Sequence, residues 1–563
     1  LDDLKKSDLA PFAYYFDPRQ AQILINFAEK LTIAEGDEET PFVCADFQAF
    51  ILGSLHGWRT KDGNHRRYRT SYIQLARTLS DGHGYSNVSP SGFTPASHFP
   101  PGYPVFLAFF VSLGLDNLIF FKVLNGILLF ASLIALFGLS RRLSGHTTVA
   151  LTAMLLACFS PHLMHFASMA MSEMLYLACT VAAFVALYFY AVRKPSAFYC
   201  SPWFYAALLA AGAAYYVRTV GASILFAVVL FFLFRKEWKA SIAAVGGIVL
   251  MLLPWSLRNA ACGIESRYFG TIMTVNPWRP EMGTVSSVGE MFSKMITNFD
   301  ETVLKGFREI LFPFLSIDYQ HPSGFTGIVA GLLVLAVVVY GCWTLGGKNL
   351  RFPFLGFLLA NIGLFALWHG GNGSRYVVPV APFLFLFFYF GLYDLIVWVG
   401  RRFFKKSFDV VLSGRWVYLL LLLAIPMMTP VSAQSASARR PFPPAYRNYF
   451  ELAKAMEKQL PAGAVVACRK PELFSYFAPS HFPMRYLFSQ NADAVVADLV
   501  KNKVDYVILE QLGYSSTPLY LYPAIQKNPE LFPVVSRLPA PDTYLLKFDR
   551  KAAAAKFSLQ EVK

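Results

Sequence analysis

Residues 71–114 read SYIQLARTLSDGHGYSNVSPSGFTPASHFPPGYPVFLAFFVSLG. Ile73, Leu75, Ala76 and Leu79 would line one side of a helix, with Gln74, Arg77 and Ser80 polar. The helix should break at Asp81-Gly82-His83-Gly84, because two glycines permit backbone angles that other residues avoid. A polar Ser/Pro/Gly loop follows. His98-Phe99-Pro100-Pro101-Gly102-Tyr103-Pro104 then predicts a shaped corner, since its prolines donate no backbone hydrogen bond. The apolar run Val105–Leu115 is too short for a membrane span of ~20 residues. It is expected to lie at, or dip into, the membrane surface.

Composition sets the class. The chain has 563 residues, 55% hydrophobic and 15% charged, with 53 phenylalanines. A soluble protein would carry charge on roughly a quarter of its residues, so the fold class is a polytopic α-helical membrane protein. The net charge of +15 does not imply a nucleic-acid partner. The basic residues sit in short clusters between apolar runs, which is the positive-inside pattern. Seven cysteines are scattered without zinc or disulfide spacing. The native start is expected upstream of Leu1, and no cleavable signal peptide is read.

Ten apolar runs follow the loop, beginning near 118, 147, 173, 203, 221, 240, 326, 353, 377 and 416, and a weak first span over Phe42–Trp58 would make eleven. Arg141-Arg142, Arg193-Lys194, Arg235-Lys236, Lys348 with Arg351, and Arg401-Arg402 fall between alternate pairs of runs. These linkers are therefore expected in the cytoplasm. The loop 70–117, the segment 259–325 and everything after Thr429 are then external. Val288–Ile296 and Thr302–Leu311 read as surface helices. The domains expected are 1–69, an N-terminal segment; 70–433, the multi-span unit; and 434–563, a small external α/β domain and tail. In that last domain Tyr446–Leu460 and Ala492–Lys501 read as helices. Ala464–Cys468, Tyr506–Glu510 and Thr543–Phe548 read as strands, and Lys551–Lys563 as a disordered tail.

An amphipathic helix, a glycine break and HFPPGYP before an apolar run resemble the first external loop of the GT-C membrane glycosyltransferases. These include the protein O-mannosyltransferases and bacterial enzymes that move a sugar from a polyprenyl-phosphate carrier, such as the lipid A aminoarabinose transferase. The resemblance covers Ser71 to the C-terminus. It implies transfer of a sugar from a polyprenyl-phosphate donor to a lipid, glycan or protein acceptor outside the cytoplasmic membrane. It also implies an inverting displacement. Read as residues alone, PPGYP is equally a rigid turn before a membrane helix.

Glu173, at the external start of a membrane helix, is the first candidate acid. A carboxylate there serves either as a helix cap or as a functional group beside lipid. The resemblance places a second acid at this position, serving the acceptor or a metal. Arg218, Arg258 and Arg375 sit in external turns, where a lipid phosphate needs cations; snorkelling is the alternative. The resemblance also carries an arginine followed by Tyr and Pro before a late span, matching Arg375-Tyr376. His98, Tyr103 and His369 complete the substrate-binding candidates. His98, His165 and His369 with Glu173 offer donors for a divalent metal, although no spacing requires one and no cofactor is certain.

The departure from the family lies just before Tyr72. GT-C enzymes of this kind place an Asp there as general base, and this chain reads Tyr68-Arg69-Thr70-Ser71-Tyr72. The nearest acids are Asp62 and Asp81. Either the base has moved, or the chain is inactive, or residues 1–69 are not the native reading of the gene. Competing functions are a lipid or solute transporter and a non-catalytic membrane scaffold.

Overall fold

In the computed structural model, the residues described are 71–89, 92–96, 99–263, 270, 272–275, 280–368, 373–403, 415–439, 442–478 and 480–557, with short strands at 14–16, 32–35, 38–41 and 58–60. Residues 42–57 of the weak first span, Asp62, His98 and His369 lie outside them.

Among the described residues, five helices are long and apolar enough to cross a membrane: Ile119–Ser144, Glu173–Arg193, Trp238–Ala261, Phe325–Leu367 and Ser374–Phe403. Thr147–Cys158 and Pro161–Ala167, bent by 60° at their junction, would make a sixth. Ten runs were expected. Pro202–Val217, Thr219–Phe234 and Trp416–Thr429 are shorter.

Two of the expected runs are joined in Phe325–Leu367. A straight helix of 43 residues would be ~65 Å long, about twice the ~30 Å hydrocarbon core. The chain instead breaks at Gly347, with φ 53° and ψ −143°. Across the break the Trp343 and Phe352 rings meet at 6.0 Å, and Arg351 donates to the Trp343 carbonyl. Phe387 reaches both limbs. Its carbonyl would collide with a side chain at Gly341, and its ring lies 5.2 Å from that of Phe354. In one straight helix, positions 341 and 354 would stand ~20 Å apart.

Helix ends follow local chemistry. Asn117 accepts from the Ile119 N–H at 2.9 Å to start the helix Leu118–Ser144, and Gly145 ends it in the left-handed region at φ 75°. Inside the bundle, Phe184 packs on Phe354, Phe357 and Phe383 with ring centres 4.8–5.4 Å apart. Tilted and edge-on ring pairs of this kind account for much of the phenylalanine content.

The loop 71–117 begins with the helix Ser71–Ser80 as expected. Its polar part contains a hairpin that the Ser/Gly/Pro composition hid, Ser86–Ser89 (β1) paired with Gly92–Pro95 (β2). The short apolar helix is Gly102–Ser112. Pro104 falls in its first turn, where a missing N–H costs nothing.

The helix Val288–Phe299 forms as expected, capped by Ser287. The segment expected as a surface helix at Thr302–Leu311 is helical but buried. A π-turn over Asp300–Lys305 runs into Gly306–Leu311, and Val303, Leu304, Phe307, Ile310 and Leu311 are buried. Those apolar positions form a core-facing stripe that reading the segment as external set aside.

Toward the C-terminus, Val465–Ala467 (β3), Phe482–Met484 (β4), Tyr506–Leu509 (β5), Val534–Leu538 (β6) and Thr543–Lys547 (β7) form one sheet in the order β6-β7-β5-β3-β4. β3 is parallel to β4 and β5, and β7 is antiparallel to β5 and β6. The tail expected to be disordered from Lys551 instead begins as a helix, Arg550–Lys556, capped by Asp549 and tied by Lys556 to Asn528 and Glu530.

Candidate functional site

Glu173 is the centre of the site. Its side chain is 0% exposed and its Oε1 lies 2.7 Å from Nη1 of Arg218, whose side chain is 21% exposed. The guanidinium ends the helix Pro202–Val217 in extended backbone and also donates to Ser172 Oγ at 3.1 Å. Neither Glu173 oxygen receives a well-angled hydrogen bond. Among the described residues the acid is therefore held by charge, which is costly for a buried carboxylate.

The PPGYP corner covers this pair. A Cβ at Gly102 would fall 2.6–2.7 Å from the backbone of Tyr216 and Val217. The loop thus packs backbone to backbone on the turn just before Arg218, which only glycine allows. Tyr103 is fully buried, and its hydroxyl donates to Asn125 Oδ1 at 3.5 Å. The Asn125 amide in turn donates to the carbonyls of Met169 and Met171, fixing the turn that presents Ser172 and Glu173. Tyr72 stands in the first turn of the loop helix, with its ring 4.7 Å from Phe99 and 5.2 Å from Tyr103. Burial pushes its phenol above the usual tyrosine range. Arg218 and a hydrogen bond to Ser172 pull it back, and Glu173 and Arg375 act on it as well.

Arg375 is exposed in the turn Gly373–Tyr376. That turn rests on the π-turn segment: a Cβ at Gly306 would lie 3.2 Å from Val377 Cγ2 and 3.6 Å from Ser374 Cα. Glu173, Arg218, Tyr103 and Arg375 are thus brought to one region, with Tyr376 half-buried beside them.

The remaining candidates separate. Arg258 donates to the carbonyls of Ala96 at 2.6 Å and Tyr85 at 2.8 Å, and lies 4.9 Å from the Trp255 ring centre. It clamps the hairpin loop. Asp81 is exposed and nine positions beyond Tyr72, about 13 Å by helical rise, so it does not join Glu173. Among the described residues, no group of three or more His, Cys, Asp or Glu is placed to hold a metal ion. His165 is exposed against Phe166.

Sequence reasoning passed over Asn125 and Ser172. A lone amide in the run Leu118–Leu139 was the available signal, since polar groups at membrane depth need a reason.

Residues 124–530 match the family described as "Predicted membrane protein (DUF2079)". The chain belongs to that family. It is a multi-pass membrane protein by that membership and by its apolar helices. No curated protein sequence matches this DUF2079 chain significantly.

Its fold is similar to that of the oligosaccharyltransferase from Archaeoglobus fulgidus. A crystal structure of that protein tethered to an acceptor peptide containing the NVT sequon gives a TM-score of 0.53 at 13% identity, covering 85% of this chain and 70% of that one. Its apo form gives 0.50 at 13%, with 78% and 65% covered. The chain spans 63–70% of the length of such oligosaccharyltransferase chains. ArnT from Cupriavidus metallidurans bound to undecaprenyl phosphate gives 0.46 at 13%, with 84% and 92% covered. At such identity the likeness concerns the fold alone.

Proposed function

We propose that this chain transfers a sugar from a polyprenyl-phosphate donor to a nucleophilic acceptor on the outer face of the cytoplasmic membrane. The buried Glu173–Arg218 pair under the PPGYP corner carries the reading. A carboxylate without hydrogen-bond donors, paired to one arginine and near a second exposed arginine, is a poor structural device and a good reactive one.

The chemistry is an inverting displacement. The donor phosphate draws the guanidinium of Arg218 toward itself, with Arg375 on the outer side, because Arg binds phosphate oxygens in a planar fork. Glu173 is thereby freed from its ion pair. It takes the proton of an acceptor hydroxyl or amine. The acceptor attacks the anomeric carbon, and the bond from that carbon to the phosphate oxygen breaks. The electron pair leaves with the lipid phosphate, where the arginines stabilise the new charge. Asp81 stands away from this centre, so Glu173 takes the role of base.

The alternation of basic linkers supports the orientation. The fold-back at Gly347, with Lys348 and Arg351 at its tip, is compatible with two spans joined by a basic cytoplasmic turn. The loop 70–117, the segment 259–325 and the C-terminal sheet then share the outer side. Chain purified in lipid nanodiscs with a polyprenyl-phosphate sugar should release polyprenyl phosphate when an acceptor is present. Absence of release with every lipid-linked sugar tried would reject the reading in favour of a scaffold.

A further inference from the structure

The folded-back segment Phe325–Leu367 carries a groove that the transfer chemistry does not use. On its first limb, Leu332, Leu335, Ala336, Val339, Tyr340 and Trp343 line a cavity of about 520 Å³, and Leu355 of the second limb completes the wall. The six positions recur at steps of three and four, so they form one stripe along a helix face. That stripe turns away from the bundle. Leu332, Ala336, Tyr340 and Trp343 are exposed. On the other side of the same limb, Val337 and Gly341 approach Gly391 too closely for a Cβ on either glycine.

The groove has a measurable reach. From Leu332 to Trp343 a helix rises ~17 Å, about half of the ~30 Å hydrocarbon core. It is as deep as one leaflet, which suits a phospholipid acyl chain; a long polyprenyl chain would overrun it. Its volume lies within the ~300–1,000 Å³ of ordinary ligand sites.

Cations stand at one end. The Arg351 guanidinium lies 4.2 Å from the Trp343 ring centre, and its Nε donates to the Trp343 carbonyl at 3.1 Å. Trp343 is itself a wall of the groove, so these contacts hold the guanidinium at its mouth with further N–H donors to offer. Lys348 is exposed in the same fold-back. Among the described residues, neither cation meets a carboxylate. Arg235, in the turn whose Phe234 ring stacks on Phe352 at 3.9 Å, differs: it is paired with Glu237 at 2.8 Å.

An apolar groove alone would take any lipid tail, and a lone lysine would only snorkel. Here an apolar slot one leaflet deep ends at an aromatic rim, of the kind found at headgroup level, and at two cations. Basic pockets between membrane helices hold anionic headgroups in this way. We propose that the groove beside the fold-back binds one anionic phospholipid, with an acyl chain along the 332–343 stripe and its phosphate on Lys348 and Arg351. This assignment needs neither sugar transfer nor a particular orientation in the membrane.

Native mass spectrometry of the full chain in detergent, given dioleoyl phosphatidylglycerol and dioleoyl phosphatidylcholine in equal amounts, reads the tightest-bound lipid. Phosphatidylglycerol should be preferred. Lys348→Ala, at an exposed position, should weaken its binding ~5-fold, the share of one cation beside an anionic headgroup. Ala336→Phe fills the groove from an exposed position and should also reduce retention; if that variant fails to fold, Lys348→Ala decides alone. Because other basic linkers attract anionic lipid, sensitivity to Lys348 is the criterion. Equal retention of the two lipids, phosphatidylglycerol binding unchanged in Lys348→Ala or in folded Ala336→Phe, or its displacement by equimolar glycerol 3-phosphate or undecaprenyl phosphate would each overturn the proposal.

Discussion

Glu173 and Glu510 are both buried carboxylates with an arginine for a neighbour, and they are held in opposite ways. Glu510 is satisfied by its own chain, through the Leu512 N–H and the Thr517 hydroxyl, while the cations beside it rest on aromatic rings. Glu173 has no well-angled donor and meets its arginine directly. The first arrangement keeps its geometry without help. The second leaves an acid whose ion-pair partner, among the described residues, is the group a phosphate would compete for. A buried carboxylate that lacks donors is expected where the protein changes state, and a satisfied one where it holds shape.

The largest effect should come from breaking the unsatisfied side. Glu173→Gln keeps the shape and removes the base, so transfer should fall ~10²–10⁴-fold while the folded yield in gel filtration stays the same. A Gln variant that transfers sugar at the original rate would make Glu173 a helix cap and collapse the contrast. Arg375→Ala, at an exposed position, should weaken donor binding without lowering yield.

Next comes the packing that holds the pair. A Cβ at Gly102 would strike the backbone of Tyr216 and Val217. Backbone cannot rotate away, so Gly102→Ala should destabilise by ~1–3 kcal/mol or more and reduce transfer by shifting Arg218. Gly126→Ala is the control, because its Cβ would meet nothing within 4 Å; Ala there should be neutral or stabilising by up to ~1 kcal/mol. Thermal unfolding in detergent compares the two. Equal losses would mean that the close approach at Gly102 does not matter. Arg258→Ala removes charged donors from the carbonyls of Ala96 and Tyr85. It should cost ~1.5–3 kcal/mol, seen as faster proteolysis of the hairpin β1–β2.

These contrasts were legible in the sequence only in part. The polytopic helical class, the amphipathic loop helix and the short apolar helix after HFPPGYP follow from composition and periodicity, which act over many residues. The meeting of Glu173 with Arg218 does not, because it depends on two helix ends 45 positions apart arriving at one point. The hairpin β1–β2 was hidden by turn-like composition. The π-turn at Asp300–Lys305 was hidden because its apolar stripe lies in a segment assigned to the outside. β4 and β6 are short strands without an alternating apolar pattern, and their partners are set by distant chain. Of the metal donors considered from sequence, His98 and His369 lie outside the described residues, and among the described residues no group of three or more His, Cys, Asp or Glu is placed to hold a metal ion.

The smallest effect sharpens the satisfied side. Burial pushes the Glu510 carboxyl above the ordinary range of about 4.3; the Thr517 and Leu512 hydrogen bonds and the Arg469 and Lys470 charges pull it down without cancelling the rise. The folded chain therefore keeps this proton over a pH window in which the unfolded chain has lost it. The unfolded state binds fewer protons there, so this contribution to stability falls as pH rises. It is full below about pH 4.3 and is lost as pH climbs through the raised folded value. Hydrogen exchange over residues 506–521 in the full chain, corrected for intrinsic rates, reads it. Protection in the unmodified chain should decline through the window. Glu510→Gln cannot titrate, so the difference between the two chains should disappear below the window and grow above it. Equal pH slopes in both chains would show that Glu510 is not held above its ordinary range, and that its two donors and neighbouring cations outweigh its burial.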